Sequence, residues 1–215
     1  MSRESWNLVA QLSSGSNQLG IDNPTTLAHT SPPNSPNPSS DPARRLAQST
    51  GLTLSSVDSY LARLRRSVGS ELLLMPGAQV LAVDADDRIL FQRSRDTGLW
   101  ELPAGGAEPG DSFRRTAARE FSEETGLVVA EEDLVPFASL SEADVHTLTY
   151  PNGDVVQCFA LCFEARSWTG TLRPGADEVL EAGFFAAPPG PLHPPTEVVL
   201  RLYAAYRETG SFQAR

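Results

Sequence analysis

The sequence predicts an α/β fold in which helices cover a mixed sheet. Three stretches carry that expectation. "AQVLAVDADDRILFQRS" reads as two strands joined by the turn residues Asp84 to Asp87, a hairpin. Residues 112–125 have the spacing of an amphipathic helix, and residues 197–207 place Val198, Leu202 and Ala205 on one side of a closing helix. Strands and helices therefore alternate along the chain.

The elements follow in order. Residues 31–42, "SPPNSPNPSSDP", contain only Ser, Pro, Asn and Asp, so nothing there offsets the entropy of ordering the backbone. We read residues 1 to about 43 as disordered, within a low-complexity extension spanning 1–50. A helix over 51–70 leads into the domain proper, 71–210. In it Val57, Tyr60, Leu61, Leu64 and Val68 form one apolar stripe, Ser56 is placed to cap the start and Gly69 to end it. Arg63, Arg65 and Arg66 solvate the opposite face, or serve a homodimer or phosphate contact. Beyond the first strands, "GLWELPAGG" reads as a short strand entering a glycine loop, and further strands are expected over 134–140, 155–163 and 182–185. "YPNGD" carries the turn signal Asn152-Gly153.

Composition narrows the function. A chain of 215 residues with formal charge −10 has no basic field to attract a nucleic-acid backbone. One small anionic substrate remains compatible, provided a cation bridges the two negative partners. Cys158 and Cys162 read as buried reduced thiols. No apolar run approaches 18 residues and the N-terminus lacks an apolar signal core, so the expectation is a cytoplasmic protein without a membrane partner.

The chemistry concentrates in residues 109–126, "PGDSFRRTAAREFSEETG". Asp111 near the first turn complements the helix dipole and can cap free N–H groups, and Gly126 suits the left-handed residue after a helix. Ala117, Ala118 and Phe121 share the core face, while Glu120, Glu123 and Glu124 fan over a separate arc of about 100°. Glu120 and Glu124 are a like-charge i,i+4 pair costing on the order of 0.2–0.5 kcal/mol. Acids in the last turns also oppose the dipole, at about 0.3–1 kcal/mol each when exposed. Arg119, four residues before Glu123, offsets part of this. A solvated acidic face explains the solubility of such a helix but not the crowding of acids at its wrong end. A hard divalent cation, Mg²⁺ or Mn²⁺, explains it, because carboxylate oxygens bind the ion and the ion reverses the local electrostatics.

At these residues the sequence resembles a known family. Gly105, Asp111 six positions on, then Arg119, Glu120, Phe121, Glu123, Glu124, Gly126 and Leu127 are similar to the Nudix box, G-x5-E-x7-R-E-U-x-E-E-x-G-U with U bulky and apolar. All defined positions match except Asp111, where the family has glutamate. The six identical Gly, Arg and Glu residues would coincide by chance on the order of once in ten million registers. The resemblance implies an α/β/α sandwich with a mixed sheet and the box as loop–helix–loop. It implies an Mg²⁺- or Mn²⁺-dependent hydrolase that cleaves the diphosphate of a nucleoside diphosphate linked to a group X. Carried over, Glu120, Glu123 and Glu124 are the metal-binding acids, and Glu120 also orients or deprotonates water. Arg119 holds the glutamates by a salt bridge, and the carbonyl of Ala104 is an additional ligand. Gly105 and Gly106 let the backbone turn close to metal and phosphate. Asp111 either caps the helix, where it serves as well as glutamate, or reaches a second metal, where it is a methylene short.

Other residues are expectations of lower resolution. Glu178 is chosen from "GADEVLEAGFF", over Asp177 and Glu181, as the loop carboxylate that completes the site. Trp100 either stacks on a base or packs in the core, and Tyr150 and Phe159 share that ambiguity. Arg93 and Arg95 follow a strand and could meet substrate phosphates, and His146 reads as a loop residue. "LPAGG" resembles the entry to the box in enzymes of ADP-sugars such as ADP-ribose; nucleoside triphosphates stay open as substrates. The rival reading is a Nudix-like sensor that binds a nucleotide without turnover.

Overall fold

The computed structural model describes residues 59–150 and 152–215. The expected extension over 1–50, and Ser56 and Val57 of the expected first helix, lie outside the described residues. Helix α1 is described over Tyr60–Val68, with the Ser59 hydroxyl accepting from Ala62 N at 3.2 Å and Gly69 at its C-terminal end. None of its residues is buried. Arg65 secures it by donating to the carbonyls of Gly69, at 3.1 Å, and Glu71.

Strand β1, Leu73–Ala82, is the axis of the fold. It pairs in parallel with β8, Val155–Ala165, and antiparallel with β4, Ala104–Gly106. The main sheet continues from β8 to β6, Val135–Leu140, and then to β11, Gln213–Ala214. The short strand β7, Thr147–Thr149, also joins β8, across the Asn152-Gly153 turn that the sequence signalled. A second sheet holds β2, Ile89–Ser94, between β10, Val179–Phe185, and β3, Trp100–Glu101. The remaining strands β5, Leu127–Val128, and β9, Thr169–Gly170, pair only with each other.

Side-chain alternation along a strand distributes the core to two faces. Val80 and Ala82 of β1, with Leu90 of β2, pack against Ala117 and Phe121 of helix α2, Phe113–Thr125. Leu81 of β1, with Ile89 and Phe91 of β2, packs instead against Val198, Leu202 and Tyr203 of helix α4, Pro194–Thr209. Helix α3, Ala143–His146, is a single turn that carries the expected loop residue His146. Sheet layers thus lie between α2 and α4, the three-layer α/β/α arrangement expected.

One expectation needs correction. The segment around Asp84 does not join a two-stranded ladder: β1 and β2 belong to different sheets, and β pairing across the turn is limited to a Val83–Ile89 bridge. The turn itself forms, with Asp84 accepting from Asp86 N and Arg88 N. Turn chemistry dictates the reversal, but burial chooses the partners, since each strand feeds both helix layers. Both cysteines are buried and unpaired, as read from sequence, and burial pushes each thiol up to about 12. Among the described residues no helix is long and apolar enough to cross a membrane.

Candidate active site

Helix α2 begins where Ser112, not Asp111, supplies the cap: the Ser112 hydroxyl accepts from Arg115 N at 3.1 Å. It ends at Gly126, whose left-handed φ of 71° permits the turn into β5. Gly175 N donates to the Glu124 carbonyl at 2.7 Å and Arg173 N to the Thr125 carbonyl at 2.7 Å. A neighbouring loop therefore satisfies the carbonyl end of the helix, which lessens the dipole penalty on the acids gathered there.

The three acids differ in environment. Glu124 is buried at 6% exposure, and its Oε2 accepts from Ala104 N at 3.0 Å. Glu120 lies against the backbone of Gly105, so closely that a Cβ there would strike its carboxyl group. Glu123 is more open. Arg119 binds Glu120 at 2.7 Å and Glu123 at 3.2 Å, and donates to the Gly106 carbonyl at 2.8 Å. Asp111, whose side chain is almost fully buried, pairs with Arg115 at 3.2 Å and Arg119 at 3.5 Å. The shorter acid at the variant box position thus leaves the cap to Ser112 and pairs with the arginine that contacts the glutamates.

Burial raises the carboxylates. It pushes Glu120 up to about 7 against the opposing pull of Arg119, with Glu123 and Glu178 adding like charge. Glu124 rises well above the carboxylate range through burial first, then through Glu120 and Glu101. Glu178 is raised by burial and then by the charge of Glu123, with Asp96 and Asp177 adding to it. Glu181 is instead exposed on β10, opposite Arg93.

Among the described residues no three acid, His or Cys side chains already surround one metal-sized position. The donor set nevertheless suits a hard divalent cation. Burial and the neighbouring charge of Glu120 both raise the proton affinity of Glu124, and a cation would offset that cost. Glu123 and the Ala104 carbonyl could add oxygens, because Ala104 stands on the strand directly beside these acids.

Strand parity separates the other expected residues. Trp100 is paired with Arg93, and both turn to the α4 side. Trp100 packs edge-on against Phe185 at 5.3 Å between centroids and is 8% exposed, so it is a core residue rather than a platform for a base. Arg93 is exposed, with its Nε donating to the Gly98 carbonyl at 3.0 Å, away from the glutamates. Arg95 braces the Glu178 loop, donating to the Ala176 carbonyl at 2.9 Å. Phe159 is exposed at 40%. The opposite parity delivers residues that the sequence reading passed over. Gln92 and its cross-strand neighbour Glu101 face α2. Burial pushes Glu101 up to about 7, with Asp96 and Glu178 adding like charge, and His193 Nδ1 lies 3.9 Å from its Oε2. The alternation in "WELP" was the available signal: if Trp100 packs inward on one face, Glu101 must take the other.

Comparison with known proteins places this geometry. A family model described as NUDIX domain matches residues 73–208. A putative 8-oxo-dGTP diphosphatase of Bacillus subtilis is 42% identical over 54 residues, 25% of this chain and 36% of that protein. The nucleoside triphosphatase NudI of Escherichia coli O1:K1 is 34% identical over 89 residues, 41% of this chain. These matches span about a third to three fifths of the relatives' own length, 36% and 58%. A crystal structure of a MutT NUDIX hydrolase from Burkholderia pseudomallei superposes with TM-score 0.51 at 24% identity, covering 60% of this chain and 97% of that one. That likeness shows the fold.

Proposed function

The chain belongs to the NUDIX family, and on that premise we propose that it is an Mg²⁺- or Mn²⁺-dependent hydrolase of a nucleoside diphosphate linked to a group X. Candidate substrates are nucleoside triphosphates and ADP-sugars such as ADP-ribose. One observation carries the proposal: a buried Glu124 stands beside a partly covered Glu120, with one arginine between Glu120 and Glu123. A purely structural helix gains nothing from that arrangement, whereas a diphosphate hydrolase requires it.

When bound, the cation supplies charge neutralisation at the diphosphate and acidifies water at the site. The residues of the chain do the rest. Glu120, Glu123 and Glu124 hold the ion, with the Ala104 carbonyl beside them. Arg119, itself anchored by Asp111, fixes Glu120 and Glu123 before substrate arrives, so little reorganisation remains at reaction. Glu120 orients water for attack on phosphorus, and Glu178 on the facing loop is the group placed to take its proton. The glycine at 105 leaves room for the Glu120 carboxyl group, which a side chain there would strike.

The test is hydrolysis of a panel of such compounds with Mg²⁺, read as nucleoside monophosphate formed, beside Glu124→Gln. Turnover by the wild type and a loss of at least about two orders of magnitude in the variant are expected. Nucleotide binding with no turnover across the panel would instead mark a sensor and overturn the proposal.

A further inference from the structure

Helix α1 precedes the part of the chain that matches the family, and it buries none of its residues. Polar pins hold it instead. In its last turn Arg65 donates to the Val155 carbonyl at the start of β8 and lies 3.5 Å from Asp154. Its first turn contains no acid of its own. Glu108 supplies one from elsewhere in the chain: Oε1 accepts from Tyr60 N at 2.6 Å, and Oε2 lies 3.8 Å from Arg63. An N–H of a first turn has no partner within its helix, and a carboxylate there also complements the helix dipole.

Glu108 stands inside the box, between Gly105 and Asp111. Ala107 N donates to the Pro76 carbonyl and Asp111 N to the Glu108 carbonyl, each at 2.9 Å, so the chain leaves β4 beside β1 and closes a turn on Asp111. Arg119 grips this turn at both ends, donating to the Gly106 carbonyl at 2.8 Å and pairing with Asp111 at 3.5 Å. The same guanidinium holds Glu120 and Glu123. Helix α1 meets the turn through Glu108. A cavity of about 490 Å³ opens between Tyr60, Pro76, Pro109 and Phe113, so apolar packing does not fix the turn on that side. The hydrogen bond to Tyr60 does.

We infer that Glu108 is a positioning residue: by capping α1 it fixes the box turn, and through Asp111 and Arg119 it holds the direction of the box glutamates. The inference rests on the reading that those glutamates serve hydrolysis. It makes α1 a working part of the enzyme rather than a lead-in to it. An ion pair as open as Arg63–Glu108 adds little to stability, so Glu108 matters for the place it fixes.

The experiment compares amide hydrogen exchange across residues 105–112, measured in chelator, with steady-state kinetics in Mg²⁺. The proteins are the wild type, Glu108→Ala, Tyr60→Pro, Tyr60→Ala and the double variant of Glu108→Ala with Tyr60→Pro. Proline suits the first position of a helix, so Tyr60→Pro removes the N–H donor and keeps α1, whereas Tyr60→Ala removes the ring and keeps the donor. Glu108→Ala and Tyr60→Pro should each speed exchange in the turn and lower kcat about 3–10-fold, with a smaller change in KM. The double variant should be no worse than the worse single one, because both remove the same contact. Tyr60→Ala should stay within about twofold of the wild type.

Wild-type exchange in Tyr60→Pro overturns the inference, as do additive losses in the double variant. A Tyr60→Ala that matches Tyr60→Pro assigns the effect to the ring and overturns it equally. A lowered melting temperature with kcat and exchange unaltered would leave Glu108 a stabilising contact only, which also overturns it. If one single variant gives no cooperative melt, the other decides. A wild type without turnover sinks the hydrolase reading, and the exchange arm alone then decides whether α1 holds the turn.

Discussion

Position 105 admits no side chain. A Cβ built on Gly105 would fall on the carboxyl group of Glu120, a partly covered acid that has no room to retreat without leaving Arg119. Gly105→Ala should therefore displace Glu120 and lower kcat about 100-fold, as an ångström-scale misplacement does, while a cooperative melt survives. Activity within threefold of wild type would mean that the carboxylate position is unimportant. Asp111 acts one step further out. Its carboxylate faces Arg115 and Arg119 at 3.2 and 3.5 Å, so Asp111→Asn removes the charge that restrains the arginine while keeping the shape. The expected result is a loss of about tenfold in kcat, comparable to other groups that orient ligands indirectly. A change in melting temperature with unaltered kcat would assign Asp111 to stability alone.

At the scale of the element, α2 has two jobs that separate by face. Phe121 is fully buried beneath it and touches Trp168 at 6.4 Å between centroids, so Phe121→Ala should cost about 3–5 kcal/mol in denaturant unfolding. Ser112→Ala removes only the cap and should cost about 1 kcal/mol. If the two costs prove equal, the core is not what holds this helix. The bounds of α2 were readable in the sequence almost to the residue, because a capping side chain and a closing glycine are local signals, although the cap is Ser112 and not the expected Asp111. The box acids were readable for the same reason, being held on one helix at helical spacing. What escaped sequence reading depends on strand pairing. Whether β1 and β2 share a sheet is decided by which distant strands pair with each, β8 and β4 for β1 and β10 and β3 for β2. Which of Trp100 and Glu101 faces the site is a matter of one-residue parity, and periodicity cannot assign the face of a two-residue strand.

At the scale of the molecule, the site draws on β2, the glycine loop, α2 and the Glu178 loop, so anything that shifts the layers shifts the chemistry. All of its named residues lie between positions 92 and 178, far along the chain from the extension at its start. Deleting residues 1–43 should accordingly leave kcat/KM unaltered, and a collapse in rate would show that the segment contributes to the site. The more searching prediction concerns protons. Glu101 and Glu120 are each raised from 4.5 to about 7, burial being the main cause in both. A raised acid binds protons more tightly folded than unfolded, so its stabilising effect is present in acid and fades as pH climbs from 4.5 past 7. His146 and His193, lowered by burial, work in the opposite sense below their ordinary value of 6.5. The window from pH 6.5 to 8 therefore isolates the carboxylates best. In chelator, unfolding free energy should drop by roughly 1–2 kcal/mol across that window for the pair. Added Mg²⁺ should restore more at pH 8 than at pH 6.5, because ions and protons compete for the same oxygens. A metal-free protein that grows more stable between pH 6.5 and 8 would show that burial does not raise these acids. The cost that a divalent cation is proposed to offset would then not exist.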